Sequence, residues 1–191
     1  FGGLLAMARV SSSWLLSSLA CGYIRLIRSL PLIVVLIILY NFSYLYDTLS
    51  LGIPFTGVTW ASYQTINVLG QFSTAVVGLT LVQSAYTAEI IRGGFLGVDH
   101  GQYEAAAVLG YTKAQTFFKI ILPQVVKRVL PSVTNEIITL VKDTSLSFVL
   151  AYAEMFTLAK QIAAAKTTFA PLFIAGVFYF IFNYAVAFAM E

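Results

Sequence analysis

The sequence predicts an all-α integral membrane protein with five transmembrane helices, the first of them truncated, and one partly charged loop between the third and the fourth. Its residues are 59% hydrophobic and 10% charged, and the mean hydropathy is +0.87, far beyond the roughly half-apolar usage of soluble domains. No charged residue occurs between Arg28 and Asp47, or between Lys166 and Glu191. Each of these stretches is long enough to cross about 30 Å of hydrocarbon as a helix.

The first part of the chain predicts two spans separated by a surface segment. Residues 1–9 are typical of the tail of a truncated first span, and the chain begins with Phe rather than Met, so we expect natural sequence before it. Residues 10–30 carry Trp14, Arg25 and Arg28 and predict a basic, amphipathic segment at a membrane surface. The second span covers about 30–46.

The remaining spans follow from the same reasoning, and the whole of 1–191 is one transmembrane domain. Residues 48–68 contain Gly52, Pro54 and Gly57 and predict an irregular outer connection. The third, fourth and fifth spans cover about 69–92, 130–155 and 168–189.

The distribution of Lys and Arg predicts the orientation. With the central loop inside, eight basic residues are cytoplasmic and only Lys160 and Lys166 lie outside, while Lys142 lies within a span. This positive-inside bias places the N-terminus outside and the C-terminus in the cytoplasm. It also accounts for the net charge of +3, so no nucleic-acid partner is required.

The loop at 99–123 predicts two short helices joined at a glycine. Asp99 is suited to cap the first helix, with Gln102 in the reciprocal capping-box position, and Gly110 suits the left-handed conformation that ends helices. Thr112 and Gln115 form the same pattern for a second helix of about ten residues, which Pro123 discourages from continuing unbent. The alternative is a pair of interfacial helices lying on the lipid.

No recognised catalytic, phosphate-binding or metal-binding motif is present, so we expect no cofactor or metal on this chain. Cys21 is the single cysteine and His100 the single histidine, which we expect to be solvated.

The loop pattern reads Glu-Ala-Ala, three residues, Gly, nine residues, Ile, one residue, Leu-Pro. It resembles the cytoplasmic loop with which bacterial ABC import permeases contact their ATPase. The segments 23–32, 85–94 and 142–146 are similar to sequences of polar amino-acid permeases, although Ser29-Leu30 stands where Gly-Thr is usual. The chain therefore resembles a permease of the histidine, glutamine and arginine uptake group, located in the bacterial inner membrane.

The resemblance implies a dimer of identical or homologous permease subunits, two cytoplasmic ATPases that bind ATP and Mg²⁺, and an extracytoplasmic binding protein that delivers the amino acid. It also implies that the first loop helix inserts into a groove of the ATPase. The ATPase-coupling residues would be Glu104, Ala105, Ala106, Gly110, Ile120, Leu122 and Pro123.

Ionisable residues inside a bilayer are costly and usually face a cavity or a partner. The fourth span carries Glu136, Thr139, Asp143 and Ser147 at spacings that predict one helical face, with Lys142 at its edge. Glu89 and Arg92 lie one turn apart on the third span and could pair. Both signs are needed to hold an amino-acid zwitterion, so these residues are candidates for the substrate path.

Two alternatives remain open at this point. The intramembrane charges could instead form structural polar networks that hold the fold. The chain could also be an ATP-independent secondary transporter or channel with an ion relay, although the sequence shows no internal repeat of the kind such transporters usually have. We expect Lys142 and Asp143, which are adjacent, to point in different directions and not to pair.

Overall fold

The computed structural model describes residues 1–11, 13–46, 48–52 and 59–190, and these residues are mainly helical. A two-stranded antiparallel sheet is the exception among them. The helices are α1 Gly2–Val10, α2 Trp14–Ser29, α3 Leu32–Leu45, α4 Thr65–Val68, α5 Gln71–Leu96, α6 His100–Val108, α7 Lys113–Gln115, α8 Leu122–Asp143, α9 Met155–Lys166 and α10 Ala170–Met190; the strands are β1 Thr48–Gly52 and β2 Thr59–Gln64.

Two helical segments depart from α geometry. A π-helical segment, Thr116–Ile121, joins α7 to α8, and a 3₁₀ segment, Thr144–Leu150, continues α8. The 3₁₀ segment ends where Ala151 takes a left-handed conformation with φ of 54°. After that break, Glu154 begins α9 by accepting hydrogen bonds from the backbone N–H groups of Phe156 and Thr157 at 2.7 Å each.

The chain divides into two compact units, and the division falls inside α5, α8 and α10. The first unit comprises Phe1–Ser29, Gln83–Leu140 and Ile181–Glu191, and the second comprises Leu30–Val82 and Val141–Phe180.

The first unit has two apolar clusters. Ala6, Ile24 and Ala88 bring α1, α2 and α5 together. The second cluster forms at the end of α5, where Val98 packs with Ile121 and Val125, and it joins the π segment to the start of α8. Burial of these apolar side chains is the main favourable contribution to the free energy of packing the π segment against the end of α5 and the start of α8.

The second unit is built around Leu36, Ala75 and Leu150, which come from α3, α5 and the 3₁₀ segment. Gly78 allows α3 and α5 to approach closely, because a Cβ atom there would lie 2.6 Å from Leu36 Cδ2. The hairpin of β1 and β2 pairs Thr48 with Gln64 in antiparallel register.

Helix length limits how many of these elements cross a membrane alone. In the described part of the chain, α5 and α10 are long and apolar enough by themselves, and two bent helix pairs could add two more spans. One pair joins α2 to the first part of α3, and the other joins the helical stretch Lys113–Leu150 to α9. The nine residues of α1 reach only about 14 Å, so the count of five crossings stays a prediction.

Three local features differ from the sequence-based expectations. The connection expected to be irregular at 48–68 contains the β-hairpin and α4, while Pro54 and Gly57 lie outside the described residues. The span expected over about 130–155 stays a prediction; the helix at its start begins already at Leu122, and α-helical geometry stops at Asp143. Helix α9, which begins at Met155, was not predicted, because Lys160 and Lys166 were placed outside the membrane.

Candidate functional site

The first helix of the loop, α6, is capped as its sequence predicts. Asp99 Oδ1 accepts a hydrogen bond from the Gly101 backbone N–H at 2.7 Å. The reciprocal bond expected from Gln102 does not form, because Gln102 Oε1 instead accepts a hydrogen bond from Gln124 Nε2 at 3.1 Å. This contact ties α6 to the first turn of α8, a longer-range partner that local capping rules do not consider.

The elbow after α6 is a Schellman motif centred on Gly110. The Gly110 N–H donates to the Ala107 carbonyl, and the Tyr111 N–H donates to the Ala106 carbonyl, both at 3.0 Å. These bonds satisfy carbonyls that the end of the helix would leave without partners. Gly110 has φ of +76°, and a Cβ atom added there would meet no atom within 4 Å. Within this chain, glycine is therefore required by backbone conformation and not by lack of space.

The predicted capping box of the second helix is confirmed. Gln115 N–H donates to Thr112 Oγ1 at 3.3 Å, and Thr112 N–H donates to Gln115 Oε1 at 2.9 Å. The expected length of about ten residues was wrong, because α7, the π segment and α8 run on without a break past Pro123. A π turn shifts the hydrogen-bond register just before the proline, whose missing N–H and bulky ring would otherwise disrupt an α-helix.

The predicted coupling residues differ in exposure. Glu104 and Ala105 face outward on α6, whereas Ala106 is only 1% exposed and lies on the inner face. Helix α6 packs against the π segment, where Thr116 and Ile121 are also buried.

The second half of the predicted set lies around the π segment. Ile120 is partly buried and packs against the cluster of Val98, Ile121 and Val125. Leu122 is half-buried and Pro123 is exposed. Of the predicted set, Glu104, Ala105, Gly110 and Pro123 are therefore exposed and accessible to a partner.

Two large apolar residues at the end of α6 were missed by the sequence reasoning. Val108 is 88% exposed and Leu109 is 72% exposed, directly before the Gly110 elbow. The signal that could have identified them is a Val-Leu pair directly before the helix-ending Gly110, where side chains at the helix end are usually exposed. Exposed apolar side chains at a helix end, beside a rigid turn, suit insertion into a groove of another protein.

Glu89 and Arg92 of α5 form a three-residue network with Arg9 of α1 in the first unit. Glu89 Oε2 lies 2.8 Å from Arg92 Nη2, and Arg92 Nε donates to the same oxygen at 2.9 Å, so the predicted pair is confirmed. Arg9 Nη1 lies 3.1 Å from Glu89 Oε1. Sequence reasoning missed Arg9 because the ion pair joins residues far apart in the chain, and spacing along one helix cannot reveal such a contact.

The polar residues of α8 share one face only as far as Asp143. Glu136, Thr139 and Asp143 follow α-helical spacing, and the Thr139 hydroxyl donates to the Asn135 carbonyl at 3.0 Å. Beyond Asp143 the 3₁₀ geometry has three residues per turn, so Ser147 lies about 120° away from Asp143 instead of about 40°. The expectation that Ser147 continues the face was therefore wrong, and its side chain is buried at 3% exposure.

Lys142 and His100 are the remaining polar residues that the sequence singled out. Lys142 is exposed, and no ion pair joins it to Asp143 in the part of the chain that the structure describes. His100 is exposed as expected. The described residues contain no group of three or more His, Cys, Asp or Glu side chains that could hold a metal ion.

Comparisons with known proteins extend over the whole chain. Residues 1–191 match the model of a family described as "Binding-protein-dependent transport system inner membrane component". The nopaline transport system permease protein NocM of Agrobacterium fabrum (strain C58 / ATCC 33970) is 34% identical, with 96% of this chain aligned to 73% of that protein. The probable glutamine ABC transporter permease protein GlnP of Bacillus subtilis (strain 168) is also 34% identical, with coverage of 99% and 80%.

A solved structure supports the same relationship at the level of the fold. The crystal structure of an amino acid ABC transporter with histidines aligns with a TM-score of 0.80 and 31% sequence identity. The alignment covers 99% of this chain and 80% of that one.

Proposed function

This chain belongs to the family of binding-protein-dependent transport system inner membrane components, and from that premise we propose that it is the permease subunit of an ATP-driven importer of a polar amino acid. The names of its relatives, which include permeases for nopaline and glutamine, support an amino-acid substrate. Members of this family are transport subunits and not enzymes, so ATP hydrolysis belongs to a separate ATPase that binds ATP and Mg²⁺.

The geometry of the loop carries the proposal. Helix α6 presents the exposed Val108 and Leu109 beside the Gly110 elbow, with Glu104 outward on the same short helix. The apolar pair would enter a groove of the ATPase, and Glu104 would make a charge-assisted contact at its rim. Ala105, Gly110 and Pro123 complete the exposed side of the predicted coupling set.

The same loop is braced so that movement of α6 reaches the long helix that follows. Gln102 and Gln124 join α6 to α8, and the cluster around Ile121 packs the π segment against the end of α5. Because a well-packed protein interior is barely compressible, a displacement of α6 is passed on to the residues packed against it. Closure of the ATPases on ATP would thus move α6 and α8 together.

The proposed substrate path runs along α8 and its 3₁₀ continuation. Glu136 and Asp143 supply negative charge, Lys142 supplies positive charge, and Thr139 and Ser147 are the polar residues between and beyond them. Glu89 and Arg92 were candidates too, but their ion pair with each other and with Arg9 supports a structural network on α5. We therefore assign substrate contact to the α8 residues first, with Glu136 as the leading candidate.

Membership of this family supports an assembly of several subunits. Two copies, or this subunit and a homologous one, surround the path, two ATPases bind the loops, and an extracytoplasmic protein delivers the amino acid. The subunit lies in the bacterial inner membrane with its N-terminus outside and its C-terminus in the cytoplasm, as the excess of Lys and Arg near the central loop supports.

Uptake by the reconstituted complex tests the function. Proteoliposomes that contain the permease, its ATPase and the binding protein should accumulate a labelled polar amino acid only when ATP is supplied on the loop side. A complex with a catalytically inactive ATPase is the matched control. Equal uptake by that control, driven by an ion gradient, would support the secondary-transporter alternative and overturn the proposal.

A further inference from the structure

A basic cleft lies in the first unit, apart from the loop and from α8. Its volume is about 400 Å³. The cleft opens between the end of α1, the second half of α2 and the middle of α5, and it is lined by Arg9, Ile24, Arg25, Arg28, Ser29, Tyr86 and Glu89.

The cleft carries an excess of positive charge. Its one acidic residue, Glu89, is already paired with Arg9 and with Arg92. In the described ranges of the chain, no carboxylate lies within ion-pair distance of Arg25 or Arg28. The Arg28 guanidinium lies 5.2 Å from the centroid of the Tyr86 ring, a cation–π contact that orients it without neutralising it.

Arg9 does not remove the excess charge of this cleft. Its Nη1 atom lies 3.1 Å from Glu89 Oε1, so Arg9 and Arg92 share the single negative charge of Glu89. An anion in the cleft would balance the charge of Arg25 and Arg28.

Helix α2 indicates what kind of anion is within reach of the cleft. Leu15, Leu19 and Leu26 follow helical spacing on one face, and each is at least 60% exposed. This face lies on the side of α2 away from Ile24, which lines the cleft. An exposed apolar face on a helix with arginines in its last turns is typical of a helix in contact with a membrane, where the anions beside its arginines are lipid headgroups.

We propose that this basic cleft binds the phosphate headgroup of an anionic phospholipid, while the leucine face on the other side of α2 contacts the hydrocarbon of the surrounding bilayer. Guanidinium groups suit phosphate because their donors match its oxygens in pairs. The bound lipid would fix α2 against α1 and α5, the three helices that Ala6, Ile24 and Ala88 already join. This site goes beyond the proposed function, and it requires only that the chain be embedded in a membrane.

Lipid binding to the purified natural protein tests the site. Dissociation constants for dioleoyl-phosphatidylglycerol and dioleoyl-phosphatidylcholine are measured by native mass spectrometry in one detergent. We expect a clear preference for phosphatidylglycerol, and we expect the double variant Arg25→Gln/Arg28→Gln to lose about 30-fold of it, because each cation beside an anionic lipid contributes roughly fivefold. Arg25→Lys/Arg28→Lys retains the charge and should keep most of the preference.

The control variant Lys127→Gln/Lys166→Gln removes the same charge from exposed positions outside the cleft and should keep the preference. Melting curves of all variants establish that each is folded. Three results would overturn the site: no lipid preference in the unmodified protein, an equal loss in the control, or displacement of phosphatidylglycerol by millimolar inorganic phosphate. The last result would assign the cleft to a soluble anion.

Discussion

Two adjacent glycines in the last turns of α5 provide a matched test of how closely α5 and α8 pack. A Cβ atom added at Gly94 would lie 2.2 Å from Val129 Cγ1 and 3.2 Å from Val125 Cγ1. Carbon atoms in contact are about 3.5–4.0 Å apart, so Gly94→Ala forces the two helices or the valine to move by more than about 1 Å. Overpacking of this kind costs about 1–3 kcal/mol.

Gly93 is the control, because a Cβ atom there would meet no atom within 4 Å. Alanine is favoured over glycine inside a helix by about 1 kcal/mol, and this gain is common to Gly93→Ala and Gly94→Ala. The difference between the two variants therefore isolates the clash with Val129 and Val125. We expect Gly93→Ala to be neutral or slightly stabilising, and Gly94→Ala to be less stable than it by about 1–3 kcal/mol.

Thermal unfolding of both variants in the same detergent measures this difference. For a chain of this size, each kcal/mol shifts the midpoint by roughly 2–4 °C, so the midpoints should differ by roughly 2–12 °C. The double variant Gly94→Ala/Val129→Ala creates room for the new methyl group and should recover much of the loss. Equal midpoints for the two single variants, or no recovery in the double variant, would refute the close approach of α5 and α8.

Three further predictions concern the loop and the proposed path. Gly110→Pro cannot adopt φ of +76°, so it should abolish ATP-driven uptake without preventing membrane insertion. Gly110→Asn tolerates that conformation and should retain more uptake than Gly110→Ala. Wild-type uptake by the proline variant would contradict the role of the elbow. Glu104→Lys should reduce retention of the ATPase on purified permease, and undiminished retention would make Glu104 a solvated residue. Glu136→Gln should weaken the apparent affinity for the amino acid roughly 5- to 150-fold with an unchanged melting midpoint, while a lowered midpoint with unchanged affinity would indicate a structural role.

The features that could be predicted from the sequence are those set by local chemistry. Asp99 and Thr112 cap their helices, and Gly110 ends α6, because each task depends on a side chain or a backbone conformation within a few residues. The pairing of Glu89 with Arg92 is of the same kind, since it joins neighbours one helical turn apart.

The features that escaped prediction depend on contacts distant in sequence or on competition between local geometries. Arg9 reaches Glu89 only after α1 packs beside α5. The hairpin of β1 and β2 was overlooked because Gly52, Pro54 and Gly57 are residue types that favour turns and irregular structure. The change from α to 3₁₀ geometry at Thr144 rotates Ser147 off the predicted face, and residue spacing alone contains no sign of that change.

Because of the π segment between α7 and α8, the number of residues in this loop determines how the helices on its two sides are rotated relative to each other. The capping box of Thr112 anchors the helix on one side of it, and the contacts of Val125 anchor the helix on the other. Each residue of an α-helix turns the chain by about 100°. Deleting one residue between Thr116 and Ile121 would let the segment relax to α-helix and would turn the two anchors out of phase. Surface loops usually accept insertions and deletions freely, but here natural variants should vary in residue type at 116–121 and keep the number of residues constant.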